Sequence, residues 1–325
     1  MYRRVEKALP ARRGKSIRTV AGIGPVSLKH EDDGTVWMHE HLHTGFSTTY
    51  RLEETLYDSN TPHQRLVVGR AEAFGNVVWL DGVTQVTERD EFCYHEMLAH
   101  VPILAHGQAK SVLVIGGGDG GMAEEVLKHK TVEKLVMVEI DAGVIDFARE
   151  HLSSINKGCF DDQRFELVIA DGKDFATTSK DRFDVIIVDS TDPVGPGEVL
   201  FTRSFYSDCK RMLNGGGVLV TQNGVPWFQS DELHNTMLNF ANLFADAGCY
   251  LTVVPTYAGG FMALGWGTDN SRLRLLDEAT LQKRFEATDL NCRYYNPAIH
   301  KAAFALPGFI GDIVHKATQQ AENNS

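Results

Sequence analysis

Residues 111–141 read SVLVIGGGDGGMAEEVLKHKTVEKLVMVEID, and this stretch decides the fold. Ser111–Ile115 is a short apolar run rich in β-branched residues, as a strand buried on both faces requires. Gly116, Gly118 and Gly121 then satisfy G-x-G-x-x-G, with Gly117 and Gly120 between them. Glycines allow a tight turn and close approach of a ligand, and the helix that follows offers unpaired N–H groups. A second apolar strand, Lys134–Ile140, ends in the acids Glu139 and Asp141. An acid there, about 20 residues beyond the turn, is placed to accept hydrogen bonds from a ribose diol. The pattern describes a nucleoside site. Asp119 inside the turn departs from the dinucleotide version, because a carboxylate there repels a pyrophosphate.

Outward from this unit, strands and helices alternate. Strands are predicted at Leu135–Ile140, Phe165–Ala170, Phe183–Val188, Gly217–Thr221, Tyr250–Pro255 and Phe261–Trp266. Helices are predicted near Met122–His129, Gly143–Leu152, Ser204–Leu213, Ser230–Ala247 and Ala279–Ala287. Such alternation implies a doubly wound parallel sheet. Thr256–Gly260 is too short for a crossover helix, so the last two strands form an antiparallel hairpin. Upstream, Tyr50–Tyr57, Gln64–Val68, Asn76–Leu80 and Val83–Thr87 read as short strands, with Asp81-Gly82 as a hairpin turn. A helix near Glu91–Ala105 follows. The expected fold class is α/β: a Rossmann-like, methyltransferase-type doubly wound sheet with an antiparallel terminal hairpin, behind a small N-terminal β-domain. The expected boundaries are a disordered basic extension at 1–34, the small β-domain with its linking helix at 35–105, and the catalytic domain at 106–325.

Composition narrows the function. At 325 residues the chain suits one large domain or two that share a core. A formal net charge of −11 argues against a nucleic-acid partner and suits a small cationic substrate. The five cysteines are scattered without C-x-x-C, which favours a reducing, cytoplasmic setting and no structural metal. No apolar run reaches the roughly 18 residues of a membrane span. Arg3, Arg4, Lys7, Arg12, Arg13, Lys15 and Arg18 face only Glu6 at the N-terminus, without the apolar core of a secretory signal.

Ligands of such sheets sit at the carboxyl ends of the strands. Asp119, Glu139, Asp171, Asp189 and Gln222 stand at or just beyond those ends. Acids converging on one rim repel one another unless positive charge is bound there. The site is therefore expected to take a ligand with several ammonium or sulfonium charges. Asp189-Ser190-Thr191-Asp192-Pro193-Val194-Gly195-Pro196 follows an apolar strand and reads as a loop. Two carboxylates three residues apart there can face one pocket, one taking a proton and the other holding a cation.

The set GGGDGG, VEID, Asp171-Gly172, DSTDPVGP and Pro255-Thr256-Tyr257 resembles the polyamine aminopropyltransferases. ERDEFCYHEM at 88–97 and CRYYNPAIHKAAFALP at 292–307 add to the likeness, which runs from about Trp37 to the C-terminus and looks most like the bacterial spermidine-forming members. The resemblance implies transfer of an aminopropyl group from decarboxylated S-adenosylmethionine, a co-substrate rather than a cofactor, to putrescine, giving spermidine and methylthioadenosine. It implies Asp189 as general base with Tyr94 as its aid. It implies nucleoside contacts from Gln64, Gly116, Gly118, Asp119, Glu139, Asp171, Gly172 and Pro196. It implies polyamine contacts from Trp37, His95, Asp119, Asp192, Gln222 and Tyr257, and no metal. His95 stands where some relatives have glutamine. Residues 190–200 would close over the substrates, and a homodimer or homotetramer is implied.

Other acceptors (cadaverine, agmatine or spermidine) fit the same residues, and a putrescine N-methyltransferase using ordinary S-adenosylmethionine shares the scaffold. Asp119 argues against the latter, since that donor carries a carboxylate at the same end. His95-Glu96-Met97-Leu98-Ala99-His100 is one residue too long for H-E-x-x-H and is not read as a zinc site. His39, His41 and His43 are expected on the surface, and Trp227, Trp266 and Phe304 in the core.

Overall fold

The computed structural model describes residues 27–193 and 195–323, which divide into two compact units between Arg89 and Asp90. In the N-terminal unit β1 (Ser27–His30), β2 (Val36–His43) and β3 (Phe46–Leu52) form an antiparallel sheet in chain order. Strands β4 (Glu54–Asn60), β5 (Arg65–Ala71), β6 (Gly75–Leu80) and β7 (Val83–Thr87) form a second, antiparallel meander. Asp81 and Gly82 sit at φ 45° and 87°, so the Asp-Gly pair makes the tight turn that its sequence signals. Met38, Tyr50, Leu52, Val67, Ala71, Val77 and Trp79 form the core of this unit.

Three expectations change here. Tyr50–Tyr57 is not one strand: β3 stops at Leu52 and β4 starts at Glu54, in a different sheet. Glu53 and Glu54, two consecutive exposed acids, interrupt the alternation at the break, where the chain crosses from one sheet to the other. The stretch 1–34 is not an extension throughout, because Ser27–His30 pairs with β2, Leu28 opposite Met38; residues 1–26 lie outside the described residues. The linking helix groups with the second unit, which begins at Asp90.

The second unit holds helix α1 (Phe92–His106) and a seven-stranded sheet. Its strands are β8 (Ser111–Gly116), β9 (Lys134–Glu139), β10 (Phe165–Ile169), β11 (Phe183–Asp189), β12 (Leu213–Gln222), β13 (Asp246–Val253) and β14 (Phe261–Thr268). Their order is β10-β9-β8-β11-β12-β14-β13. The first five are parallel, whereas β14 runs antiparallel to both β12 and β13. The chain winds one way from β8 to β10 and the other way from β11 to β12. The crevice between the ends of β8 and β11 is thus the topological switch point, where such sheets bind ligands.

Helices α2 (Gly121–Leu127), α3 (Ala142–His151), α4 (Ser153–Asn156), α5 (Gly172–Thr178), α6 (Arg203–Met212) and α7 (Ser230–Leu243) lie between the strands in sequence, and α8 (Glu278–Glu286), α9 (Pro297–Ala303) and α10 (Gly308–Asn323) follow them. Helix α7 ends at Leu243 rather than Ala247: Phe244 is extended and Asp246 begins β13. Phe244 and Ala245 continue an apolar run with no glycine or proline to stop it. Helix α1 is buried from Cys93 to Ala105, and Gly107 at φ 82° ends it by donating to Ile103 O at 2.8 Å. It is tied to β13 by Thr252 Oγ1 donating to Cys93 O at 2.6 Å and Tyr250 OH to Met97 O at 3.2 Å. Glu96 on the same helix is buried and accepts the backbone N–H groups of Arg293, Tyr294 and Tyr295 at 2.8, 2.8 and 2.7 Å. This is the work of the acid in the near-miss zinc motif. Trp266 is fully buried and Phe304 partly so, but Trp227 is 68% exposed, its ring edge-on to Phe309. Among the histidines expected on the surface, His41 is exposed while His39 and His43 are half-buried.

Candidate active site

Strand β8 delivers the chain into the glycine turn beside the end of β11. Gly116 is the register partner of Asp189, and Gly117 N donates to Asp189 O at 3.0 Å. At φ 87° a side chain on Gly116 would be strained, and its Cβ would run into the Asp189 carbonyl. The turn therefore locks the position of Asp189. Gly118 faces Glu139, where a Cβ would stand 2.9 Å from Oε2. The other Glu139 oxygen accepts Asp141 N at 2.9 Å, and Asp141 in turn caps α3 by accepting Gly143 N at 3.0 Å.

Asp189 Oδ1 accepts a hydrogen bond from Tyr94 OH at 2.7 Å. Burial pushes the Asp189 carboxyl up to about 6, with Asp119 adding to the rise; His95 and the Tyr94 hydroxyl hold it back. Burial, then Asp189, lifts the Tyr94 phenol well above its ordinary value, so it remains a donor. Glu139 is pushed up to about 7, chiefly by burial. Asp119 Oδ1 accepts Gly121 N at 2.7 Å and stands 3.8 Å from His95 Nε2.

Tyr257 lies in the turn after β13, held by Thr256, whose N and Oγ1 donate to Asp90 Oδ2 at 2.8 and 2.6 Å. Its ring is edge-on to Tyr94 at 6.1 Å. Burial and then the charges of Asp189, Asp90, Asp119 and Asp192 lift its phenol well above the ordinary range. One hydroxyl thus feels acids from three separate loops, which places those loops around a common space. Gln222 is buried at the end of β12, with Oε1 accepting Gly224 N at 2.8 Å. Asp171 caps α5 through Lys173 N at 2.7 Å and Asp174 N at 3.2 Å. Gly172 packs on Ile115 of β8 so closely that a Cβ would stand 2.5 Å from it.

The residues read from the sequence thus divide as follows. Tyr94, His95, Asp119, Asp189 and Tyr257 are joined by direct contacts or charge, with Gly116, Gly118 and Glu139 alongside them. Asp192 acts on Tyr257, and Gln222, Asp171 and Gly172 stand at the ends of β12 and β10. Pro196 falls in a 3-10 segment, Gly195–Phe201; Val194 lies outside the described residues. Trp37 lies on β2 and Gln64 in the Thr61–Gln64 turn before β5, both in the N-terminal unit. Two acids escaped the sequence reading. Glu91 Oε2 stands 2.8 Å from His95 Nδ1, and the i,i+4 spacing was the available signal. Glu232 on α7 is pushed up to about 9 by burial and then by Asp192; nothing in its local sequence marks it.

Chemically, this is a cluster of buried and half-buried carboxylates with two aromatic hydroxyls and no lysine or arginine bonded to Asp119, Asp189 or Glu139 among the described residues. It suits a cation, and it holds a base able to take a proton near neutral pH.

Comparison with known proteins identifies the family. Residues 91–277 match the spermine/spermidine synthase domain, and residues 36–88 match the spermidine synthase tetramerisation domain. The chain is 58% identical over 275 residues to a polyamine aminopropyltransferase of Ruegeria sp. (strain TM1040), covering 85% of this chain and 97% of the relative. It is 54% identical over 280 residues to a polyamine aminopropyltransferase of Salmonella newport (strain SL254), covering 86% and 98%. Among solved structures, a spermidine synthase in complex with the transition-state analogue AdoDATO superposes with a TM-score of 0.82 at 35% identity, over 89% of this chain and 98% of that one. The spermidine synthase of Thermotoga maritima gives 0.80 at 34% identity, over 89% and 96%. With a tyrosine-bound aspartate at the switch point and matches along most of its length, the chain belongs to the spermine/spermidine synthase family, the polyamine aminopropyltransferases.

Proposed function

We propose that the protein is a spermidine synthase, transferring the aminopropyl group of decarboxylated S-adenosylmethionine to putrescine and releasing methylthioadenosine. The observation that carries this reading is Asp189, half-buried, bonded to Tyr94 OH at 2.7 Å and raised to about 6. An attacking primary amine must be neutral. With an amine pKa near 10.4, handing its proton to an ordinary carboxylate is uphill by about 9 kcal/mol; raising the carboxyl to about 6 removes on the order of 3 kcal/mol of that.

In this reading the amine nitrogen attacks the methylene carbon beside the sulfonium. The carbon–sulfur bond breaks, its electrons return to sulfur, and the amine proton goes to Asp189. Glu139 holds the ribose hydroxyls and Asp171-Gly172 the adenine, with Gln64 and Pro196 completing the nucleoside side. Asp119 holds the ammonium of the aminopropyl tail. Asp192, Tyr257, Gln222, Trp37 and His95 hold the diamine, whose far ammonium stays charged and orients the chain. The reaction as written needs no resident cofactor or metal. The match of residues 36–88 to a tetramerisation domain supports a homo-oligomer, which we take to be a dimer or tetramer. The five cysteines are free thiols, which fits a reducing compartment such as the cytoplasm.

The test is an acceptor panel. With decarboxylated S-adenosylmethionine and putrescine, cadaverine, agmatine or spermidine in turn, putrescine should give the highest kcat/KM. A higher value for another acceptor would overturn the assignment.

A further inference from the structure

His95 sits between two carboxylates that come from different elements. Its Nδ1 is 2.8 Å from Glu91 Oε2, one turn earlier at the start of α1. Its Nε2 is 3.8 Å from Asp119 Oδ1 in the glycine turn. The ring is 2% exposed and lies edge-on to Tyr94 at 5.4 Å. Its other edge is wedged against Gly121, where any Cβ would overlap Cε1 and Nδ1. The imidazole therefore cannot turn over without moving α2. A carboxylate at Nδ1 is an acceptor only, so Nδ1 carries a hydrogen in every state of the ring. The proton that comes and goes is the one on Nε2, which points at Asp119.

An imidazolium and an ammonium drawn to the same Asp119 carboxylate repel each other. If an imidazolium faces it, an entering ammonium meets like charge; if the imidazole is neutral, Nε2 becomes an acceptor for that ammonium. We propose that Glu91 is a positioning residue for His95, and that the pair releases the Nε2 proton of His95 to solvent when a substrate ammonium takes its place beside Asp119. The inference rests on the reading of Asp119 given under Proposed function. The groups acting on His95 are Glu91 from the same helix, Asp119 from the turn and Asp189 from the end of β11. Burial opposes charge on the ring, but these three carboxylates outweigh it and push His95 up to about 10. Before substrate binds, His95 is thus charged at pH 8, while Asp189 at about 6 and Glu139 at about 7 have already lost their protons.

The experiment is calorimetric titration of the full-length protein at pH 8 in buffers of different ionisation enthalpy, which counts protons exchanged on binding. Two ligands are compared: decarboxylated S-adenosylmethionine, which carries the ammonium, and methylthioadenosine, which lacks it. The wild type should release about one proton more with the former. His95→Gln should release none, and Glu91→Gln should shift the release to lower pH, so that little remains at pH 8. Equal proton counts for the two ligands in the wild type would overturn the inference without recourse to any variant. So would full release in His95→Gln, which would place the proton on Glu232 (about 9), or wild-type release in Glu91→Gln. Turnover of putrescine is read on the same preparation. Turnover without the extra proton rejects this inference alone. Protein that neither binds the sulfonium nor turns over rejects the function first, and this inference with it.

Discussion

At the scale of the residue, the proposed function rests on Asp189. Its carboxyl keeps a proton in the folded state at pH values where the unfolded chain, with an ordinary value of 3.8, has lost it. Stability from this group is therefore full below about 3.8 and is lost as pH rises through about 6. Asp189→Asn keeps an oxygen for Tyr94 and removes the half-buried charge. Turnover should fall about a thousandfold. At the same time, the melting temperature of the variant relative to wild type should climb between pH 4 and pH 7, by calorimetry in parallel buffers. A variant equally active, or one whose relative Tm falls with pH, would contradict the assignment. The raised acids also set the pH profile: kcat/KM should rise across pH 6–7, where Asp189 and Glu139 ionise, rather than near pH 4. The placement of these acids was legible. The acids stand at strand ends, and strand ends can be read from apolar runs. Glu91 was not legible as a site residue, because an acid at the start of a helix is also ordinary charge complementing the helix dipole. Glu232 was not, because its burial depends on how α7 packs.

At the scale of the element, the glycine turn and the end of β11 are one rigid joint. Gly116→Ala forces an L-residue to φ 87° and drives its Cβ into the Asp189 carbonyl. The left-handed backbone alone costs about 1–2 kcal/mol, and the overlap adds to it. Denaturant unfolding should show a loss of at least about 2 kcal/mol, with activity lost as Asp189 moves. Gly215→Ala is the control: nothing lies within 4 Å of its Cβ, and stability should stay within about 0.5 kcal/mol. Similar losses at both positions would detach the effect from the joint. Element identity in the sheet was legible from the strand–helix alternation, and the hairpin from its five-residue link, Thr256–Gly260. The C-terminal helices α9 and α10 were not assigned. Yet Asn296 accepts Ile299 N at 2.9 Å with Pro297 next to it, a cap that the sequence displays. Trp227 shows the opposite limit: an aromatic in a loop carries no periodicity, so its burial cannot be read from composition.

At the scale of the molecule, the long C-terminal segment is held to the helix that carries Tyr94 and His95. Glu96 accepts three backbone N–H groups from residues 293–295. Glu96→Ala leaves three donors without their acceptor and should cost about 3–5 kcal/mol. Chemical denaturation checks this, and an unchanged midpoint would remove the tie from the account. No sequence pattern announces such a contact, since its partners are separated by nearly 200 positions. The central claim remains that an acid in a glycine turn, beside a half-buried base, selects a donor whose tail is cationic. It is tested most directly by offering the protein putrescine with equal amounts of decarboxylated and ordinary S-adenosylmethionine and resolving the products by mass spectrometry. The expected products are spermidine and methylthioadenosine, without methylated putrescine. Formation of N-methylputrescine and S-adenosylhomocysteine in their place would contradict the account.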